Sequence, residues 1–299
     1  MGDLFGKKII SKQMENKKLK FLIITPSCNE EVFLPNLIES VVNQNFLPDE
    51  WIIVDDGSVD NSINIIKEAS LKNPWIRYIR KEKKEKRSPG KNVIDTFYKG
   101  FNNRNINDFD VVVKLDADLS LPKDYFATIN REMIKNSNIG ICGGICTVNG
   151  NVEGLTNLDH VRGAIKAYRK ECFNQIGGLL NSMGWDTVDE HHARFLGWQV
   201  YVIDKLKVEH HRETNYEFGF YRAAFKNGKM LYYIRMDFFL LIINCLKWSF
   251  RFPFIILGFV LFLGYIAAFF SNENKIVSRD LGKFIRMYRY KKIKEKIWS

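Results

Sequence analysis

Cysteine is scarce in this chain: five residues in 299, namely Cys28, Cys142, Cys146, Cys172 and Cys245. The number is odd, and no pair has the close Cys and His spacing of a structural zinc site, so free thiols are the expectation. Cys142 and Cys146 fall in an apolar run, where a thiol behaves as a small buried hydrophobe. A reducing, cytoplasmic compartment follows. A secretory leader is also absent from the sequence as given, because Met1 to Lys20 is polar and basic with no apolar centre. Gly6 stands where a myristoylation signal after Gly2 needs Ser or Thr. No internal repeat is visible at the roughly 20 to 50 residue spacing of solenoids.

Charge is short where a nucleic-acid binder would need it. The net +11 is concentrated in residues 275 to 299, where nine Lys or Arg face only Asp280 and Glu295. A body so near neutral argues against nucleic acid as a partner, whereas a basic tail beside an apolar segment suits anionic lipid. Disorder is excluded by the 46% hydrophobic and 14% aromatic content, which is ample for a large core.

From Phe21 to about Val148, short β-branched and apolar runs alternate with stretches of helical periodicity. That alternation predicts an α/β fold, a Rossmann-like, mainly parallel sheet with helices on both faces. Strands are expected at Phe21 to Thr25, Trp51 to Val54, Ile76 to Ile79 and Val111 to Leu115. Between them Phe33, Leu34, Leu37, Ile38, Val41 and Val42 recur at helical spacing, then Ile63 and Ile66, then Val93, Phe97 and Phe101. In open α/β sheets ligands sit beyond the carboxyl ends of the strands. The polar clusters Pro26 to Glu31, Asp55 to Asp60 and Asp116 to Asp118 fall at three such ends and converge on one crevice.

Each cluster suits a part of one chemistry. Asp116-Ala117-Asp118 presents two carboxylates leaving a buried strand, which can gather a divalent cation that in turn binds a diphosphate. In Val54-Asp55-Asp56-Gly57-Ser58, Gly57 supplies a tight turn and a spare carboxylate can accept from a base or ribose. Asp60 or Ser58 can cap the helix that follows. Ser88-Pro89-Gly90-Lys91-Asn92 opens another helix, where terminal amides and Lys91 can meet a phosphate. The run from Lys81 to Arg87, five bases and two acids, is expected to be a solvated loop.

Thr25-Pro26-Ser27-Cys28-Asn29-Glu30-Glu31, followed by Val-Asp-Asp-Gly-Ser and Asp-Ala-Asp, resembles glycosyltransferase family 2 with the GT-A fold over roughly residues 20 to 215. The resemblance implies that Pro26, Asn29, Glu30, Asp55, Asp56 and Lys91 line the nucleotide-sugar pocket, with Asp55 or Asp56 facing the base. It implies that Asp116 and Asp118 serve ribose and metal, with Asp118 the direct ligand of Mn2+ or Mg2+, and that His210 in Val208-Glu209-His210-His211-Arg212 completes the metal site. His191 and His192 have no comparable match. Downstream, Gly184-Trp185-Asp186-Thr187-Val188-Asp189-Glu190 resembles the acceptor region. Counting back from Gly197-Trp198, the family's Asp falls on Asp186, while Trp185 replaces its Glu. Asp189 and Glu190 are the alternative bases. If residues 186 to 196 are helical, all three carboxylates share one face, and crowding there can raise one pKa.

After about Met230 the composition changes. Phe238 to Leu246 is apolar, and Phe252 to Phe270 is nineteen residues without a charge, enough helix to cross a bilayer core of about 30 Å. Three parts are therefore expected: a polar extension over 1 to 19, a catalytic domain over 20 to 230, and membrane-associated helices with a basic tail over 231 to 299. A re-entrant or hairpin element, with both flanks cytoplasmic, keeps the tail on the positive side of the membrane. The expected activity is inverting transfer from a nucleoside-diphosphate sugar to the hydroxyl of a glycan or lipid-linked acceptor, at the cytoplasmic face of the cell membrane, in surface polysaccharide or glycolipid synthesis. Two other readings stand beside it: transfer to a polyprenyl phosphate, whose anionic oxygen needs no base, and a membrane-tethered binding protein without turnover.

Overall fold

The computed structural model describes residues 18–81, 91–152, 158–212 and 219–298. It divides into two compact units, Met1–Arg212 and Glu213–Ser299. In the first unit, the four expected strands form β1 (Phe21–Ser27), β2 (Glu50–Asp55), β3 (Ile76–Arg80) and β4 (Val111–Leu115). Helices α1 (Leu34–Val42), α2 (Ser62–Lys72) and α3 (Lys91–Phe101) connect them. β4 is buried along its whole length and β1 and β2 along most of theirs, which is why these strands appear in the sequence as continuous apolar runs rather than as alternations. α1 turns Leu34, Leu37 and Val41 inward and carries Pro35 in its first turn, where the missing amide hydrogen costs nothing.

The sheet is mixed rather than mainly parallel. After β4 come β5 (Leu119–Ser120), α4 (Tyr125–Lys135), β6 (Ile139–Val148), β7 (Asn151–Val152), β8 (Ile165–Arg169), α5 (Lys170–Gln175), α6 (Trp185–Phe195) and β9 (Gln199–His210). The order is β3-β2-β1-β4-β8-β6-β9-β5, with β7 paired to β6. β3, β2, β1 and β4 are parallel, whereas β8 runs antiparallel to both β4 and β6, and β5 antiparallel to β9.

Two features of register position the site. Ser27 is opposite Asp55 and Ile24 opposite Lys114, so β1, β2 and β4 end along one edge and their polar clusters meet there. On the far side, Leu119 pairs with His210, which brings the end of β9 to the turn that carries Asp118.

The second unit contains α7 (Phe220–Tyr233), α8 (Phe238–Ser249), α9 (Ile256–Phe270) and α10 (Arg279–Ile297). α7 and α9 approach backbone to backbone at Gly228 and Gly264. A methyl at Gly228 would overlap the Leu261 carbonyl, and one at Gly264 the Phe225 carbonyl. Ala224, Leu241, Leu257 and Leu261 form a small buried cluster around that crossing. The uncharged run expected over Phe252 to Phe270 is helical only from Ile256, for 15 residues, and Ile255 has a positive φ of 63°. Among the described residues, no helix is long and apolar enough to cross a membrane.

Candidate active site

The first polar cluster is stitched to the second by hydrogen bonds between loops. Asn29, at φ 56°, donates its backbone N–H to Ser58 Oγ at 2.8 Å, and its side-chain oxygen accepts from Val59 N–H at 2.9 Å. Glu30 N–H donates to Ser62 Oγ at 2.8 Å. Asn29 therefore shapes the crevice floor. Asp55 is fully buried, accepts from Ser58 N–H at 3.2 Å and has Arg80 Nε at 3.8 Å. Asp56 is more open and faces Lys81 Nζ at 3.0 Å, so the first base of the expected solvated loop is held at the crevice instead. Pro26 is only half-buried between buried neighbours. Lys91 opens α3, but its side chain and Ser88 to Gly90 lie outside the described residues.

The third cluster meets β9. His210 Nε2 lies 3.4 Å from Asp118 Oδ1, a separation that two donors show on a divalent cation with bonds of roughly 2.0–2.2 Å. The other oxygen of Asp118 accepts from Arg212 Nε at 3.1 Å and Nη2 at 3.0 Å. Arg212 Nη2 also reaches Glu30 Oε1 at 2.5 Å, and the guanidinium lies over the Phe33 ring at 5.5 Å. Burial works against the Asp118 charge, but His210 and Arg212 outweigh it and hold the carboxyl below its ordinary range. Glu30 is the opposite case. Burial pushes it up to about 7 despite Arg212, with Asp118 and Asp116 adding to the rise, and its Oε2 is buried without a hydrogen-bond partner.

The Asp116 carboxylate pairs with Lys114, while its charge still reaches Glu30. Among the described residues, no group of three His, Cys, Asp or Glu side chains is assembled for a metal. The donor set is instead one carboxylate and one imidazole. That pair fits a divalent cation whose remaining positions are filled by oxygens from outside the chain.

Helix α6 separates its three carboxylates. Asp189 and Glu190 are buried and converge on Lys166 of β8, itself fully buried, at 2.8 Å and 3.1 Å. Tyr168 also donates to Asp189, while Glu190 accepts from Val161 N–H at 2.8 Å and from Arg194 Nη1 at 3.4 Å. Burial pushes the Asp189 carboxyl up, to about 6, partly opposed by Lys166. Glu190 is held down, to about 2, because Lys166, His160 and Arg194 together exceed its burial penalty.

Asp186 gives Lys166 only its backbone carbonyl and leaves its side chain 33% exposed at the rim. His160 bridges the two environments, with Nδ1 3.1 Å from Glu190 Oε2 and Nε2 3.8 Å from Asp186 Oδ2. The loop closes this tightly because residue 163 is glycine: a Cβ there would lie 3.0 Å from the Asp186 Cβ and from the Trp185 ring. The Trp185 ring itself lies under Lys114 and Lys166 at 5.4 Å and 5.7 Å.

Sequence reasoning assigned no role to His160, Lys166 or Arg212. A lysine inside the strand run Ile165–Arg169 was the one available signal, since a buried lysine requires acidic partners.

The model of the glycosyl transferase family 2 matches residues 22–228, well over half of the chain, and the chain belongs to that family. Glycosyltransferase GlyA of Streptococcus pneumoniae is 30% identical over 116 residues, which is 39% of this chain and 15% of that protein. The UDP-N-acetylglucosamine–dolichyl-phosphate N-acetylglucosaminyltransferase of Methanococcus voltae is 49% identical over 51 residues, 17% of this chain and 19% of its own. The chain thus spans less than a fifth of the length of either curated relative. A solved mannosyltransferase of Pyrobaculum calidifontis, in complex with GDP-Man and Mn2+, superposes with a TM-score of 0.55 at 14% identity, covering 96% of this chain and 88% of that one. At that identity the likeness is one of fold, a mixed α/β sheet with flanking helices of the GT-A type.

Proposed function

We propose that the chain transfers a sugar, with inversion, from a nucleoside diphosphate donor lying across the ends of β1, β2 and β4 to an acceptor hydroxyl. The observation that carries this is the 3.4 Å approach of His210 to Asp118 across the β5–β9 pairing, beside Arg212. The Mn2+ in the mannosyltransferase structure suits the same donor chemistry. Asp118 and His210 would hold the cation, which when bound supplies positive charge to the leaving diphosphate. Arg212 adds a fixed guanidinium, suited to bidentate contact with phosphate oxygens. Asp56 stands at the open end of the crevice, where a nucleoside would lie. Of the three acceptor-side carboxylates, Asp186 alone is open to solvent and not consumed by Lys166, so it takes the hydroxyl proton as the nucleophile attacks C1.

A polyprenyl phosphate acceptor is the second reading, favoured by the local match to the dolichyl-phosphate enzyme. Such an oxygen is already anionic and leaves Asp186 only a binding role. The second unit would then keep the catalytic unit at the cytoplasmic face of a membrane, near a lipid-linked acceptor in either reading. Transfer assays with a panel of nucleotide sugars, against sugar-hydroxyl and lipid-phosphate acceptors, separate the two. Loss of transfer in Asp186→Asn with the hydroxyl acceptor supports the first, and undiminished transfer to the lipid phosphate alone supports the second.

A further inference from the structure

In the second unit, residues 238 to 272 contain no Asp or Glu. The α8–α9 hairpin in that stretch leaves an unusual set of large apolar side chains uncovered. Leu246 is exposed on α8, Phe250, Phe252, Phe254 and Ile255 in the connection, and Phe259 on α9. The connection is nonetheless built rather than loose: Ile255 N–H donates to the Ser249 carbonyl at 2.9 Å, Ser249 Oγ donates to the Cys245 carbonyl at 2.9 Å, and Gly258 lies against that same carbonyl. At about 1.5 Å per residue, α9 is roughly 22 Å long, short of an acyl core of about 30 Å. It is long enough to enter one leaflet.

A cluster of bases stands at the same end of the hairpin. Lys247 and Arg251 flank the end of α8, and Arg251 lies over the Trp248 ring at 4.7 Å. α10 runs beside α8, with Tyr290 donating to Asp237 at 2.8 Å and stacked on Phe239. The inner face of α10 accordingly changes character, from buried Leu281 and Ile285 to Arg289 and Lys296 one and three turns later. The Lys247 ammonium is pushed down from its ordinary range, first by burial and then by Arg251, Lys296 and Arg289. Bases at the end of α8 beside exposed aromatics match an acyl boundary with phosphates above it.

We propose that the α8–α9 hairpin enters one leaflet of an anionic bilayer, and that Lys247 and Arg251 bind the phosphates of its lipid headgroups. This deepens the membrane placement offered above and rests on it. The test is co-sedimentation of the full chain with phosphatidylcholine vesicles, with and without phosphatidylglycerol. Binding should be confined to the anionic vesicles and weaken as salt rises. Lys247→Gln and Arg251→Gln should each lower the affinity about fivefold. Phe254→Asp with Ile255→Asp should abolish it while thermal midpoint and donor binding stay unchanged. Equal binding to both vesicles would overturn the headgroup site and leave the membrane placement standing. Binding to neither would overturn both, and a doubled mass in solution that is lost in Phe254→Asp would instead assign the surface to a second copy. Transfer measured with a soluble acceptor distinguishes all of these from a failure of the catalytic reading.

Discussion

Lys166 holds Asp189 at 2.8 Å with both side chains removed from solvent, and Glu190 shares the same ammonium at 3.1 Å. Two buried carboxylates on one cation are a scaffold, since removing the cation leaves Asp189 buried with only the Tyr168 hydroxyl and the Glu190 N–H to meet its charge, while Glu190 keeps His160 and Arg194. Lys166→Met is expected to cost about 3–5 kcal/mol of stability. Urea denaturation measures it, and a loss below about 1 kcal/mol would show that the network carries no such burden.

Glu30 gives the fold a dependence on pH near neutrality. Its carboxyl is raised to about 7 in the folded chain from 4.5, so its contribution to stability is fully present below about 4.5 and is lost as pH rises through 7. Glu30→Gln cannot ionise. The stability of that variant relative to the parent should therefore grow between pH 5 and 8, on the order of 1–3 kcal/mol. A difference that stays flat across that range contradicts the assignment.

The parallel half of the site was legible in the sequence because parallel strands buried on both faces leave unbroken apolar runs, and their shared direction places every following cluster on one edge. The turn from β8 back against β4 was not legible, since antiparallel and parallel buried strands have the same composition. Nor was the division among Asp186, Asp189 and Glu190. Helical spacing puts them on one face, but only the β8 register, with Lys166 opposite Lys114, shows which of them that face buries. Arg212 was hidden for another reason: its partners Glu30 and Asp118 are distant in sequence, and they meet through the β5–β9 pairing together with the β1–β4 pairing. The apolar C-terminal run has the length of a span in the sequence, but the segment around Phe252 and Pro253 is not helical and leaves 15 residues of α9.

Arg212 bridges Glu30 and Asp118, and its removal leaves two carboxyl groups where the proposed diphosphate would approach. Arg212→Met is expected to raise the KM for the donor roughly 10- to 100-fold, the range for losing a charged hydrogen bond. Arg212→Lys should recover part of it. Steady-state kinetics over donor concentration decide the matter, and an unchanged donor KM in Arg212→Met would remove the residue from the donor site.

Asp186 is the base in the proposed reaction, with His160 beside it. Asp186→Asn is expected to lower kcat about two to four orders of magnitude with a hydroxyl acceptor and to leave donor binding unchanged. His160→Ala should have a smaller effect and shift the pH profile of kcat, because the imidazole links the exposed Asp186 to the buried Glu190. Equal kcat for Asp186→Asn and the parent would pass the role of base to another group.

The central claim is that the Asp118–His210 corner receives a divalent cation together with a nucleoside diphosphate sugar. The direct measurement is the thermal midpoint of the chain against a panel of nucleotide sugars, with Mn2+, with Mg2+ and with chelator, for the parent and for Asp118→Ala. The account predicts that at least one donor raises the midpoint by several degrees only when the cation is present, and that Asp118→Ala abolishes this rise while keeping its own unliganded transition. The same rise in chelator, or in Asp118→Ala, would contradict it.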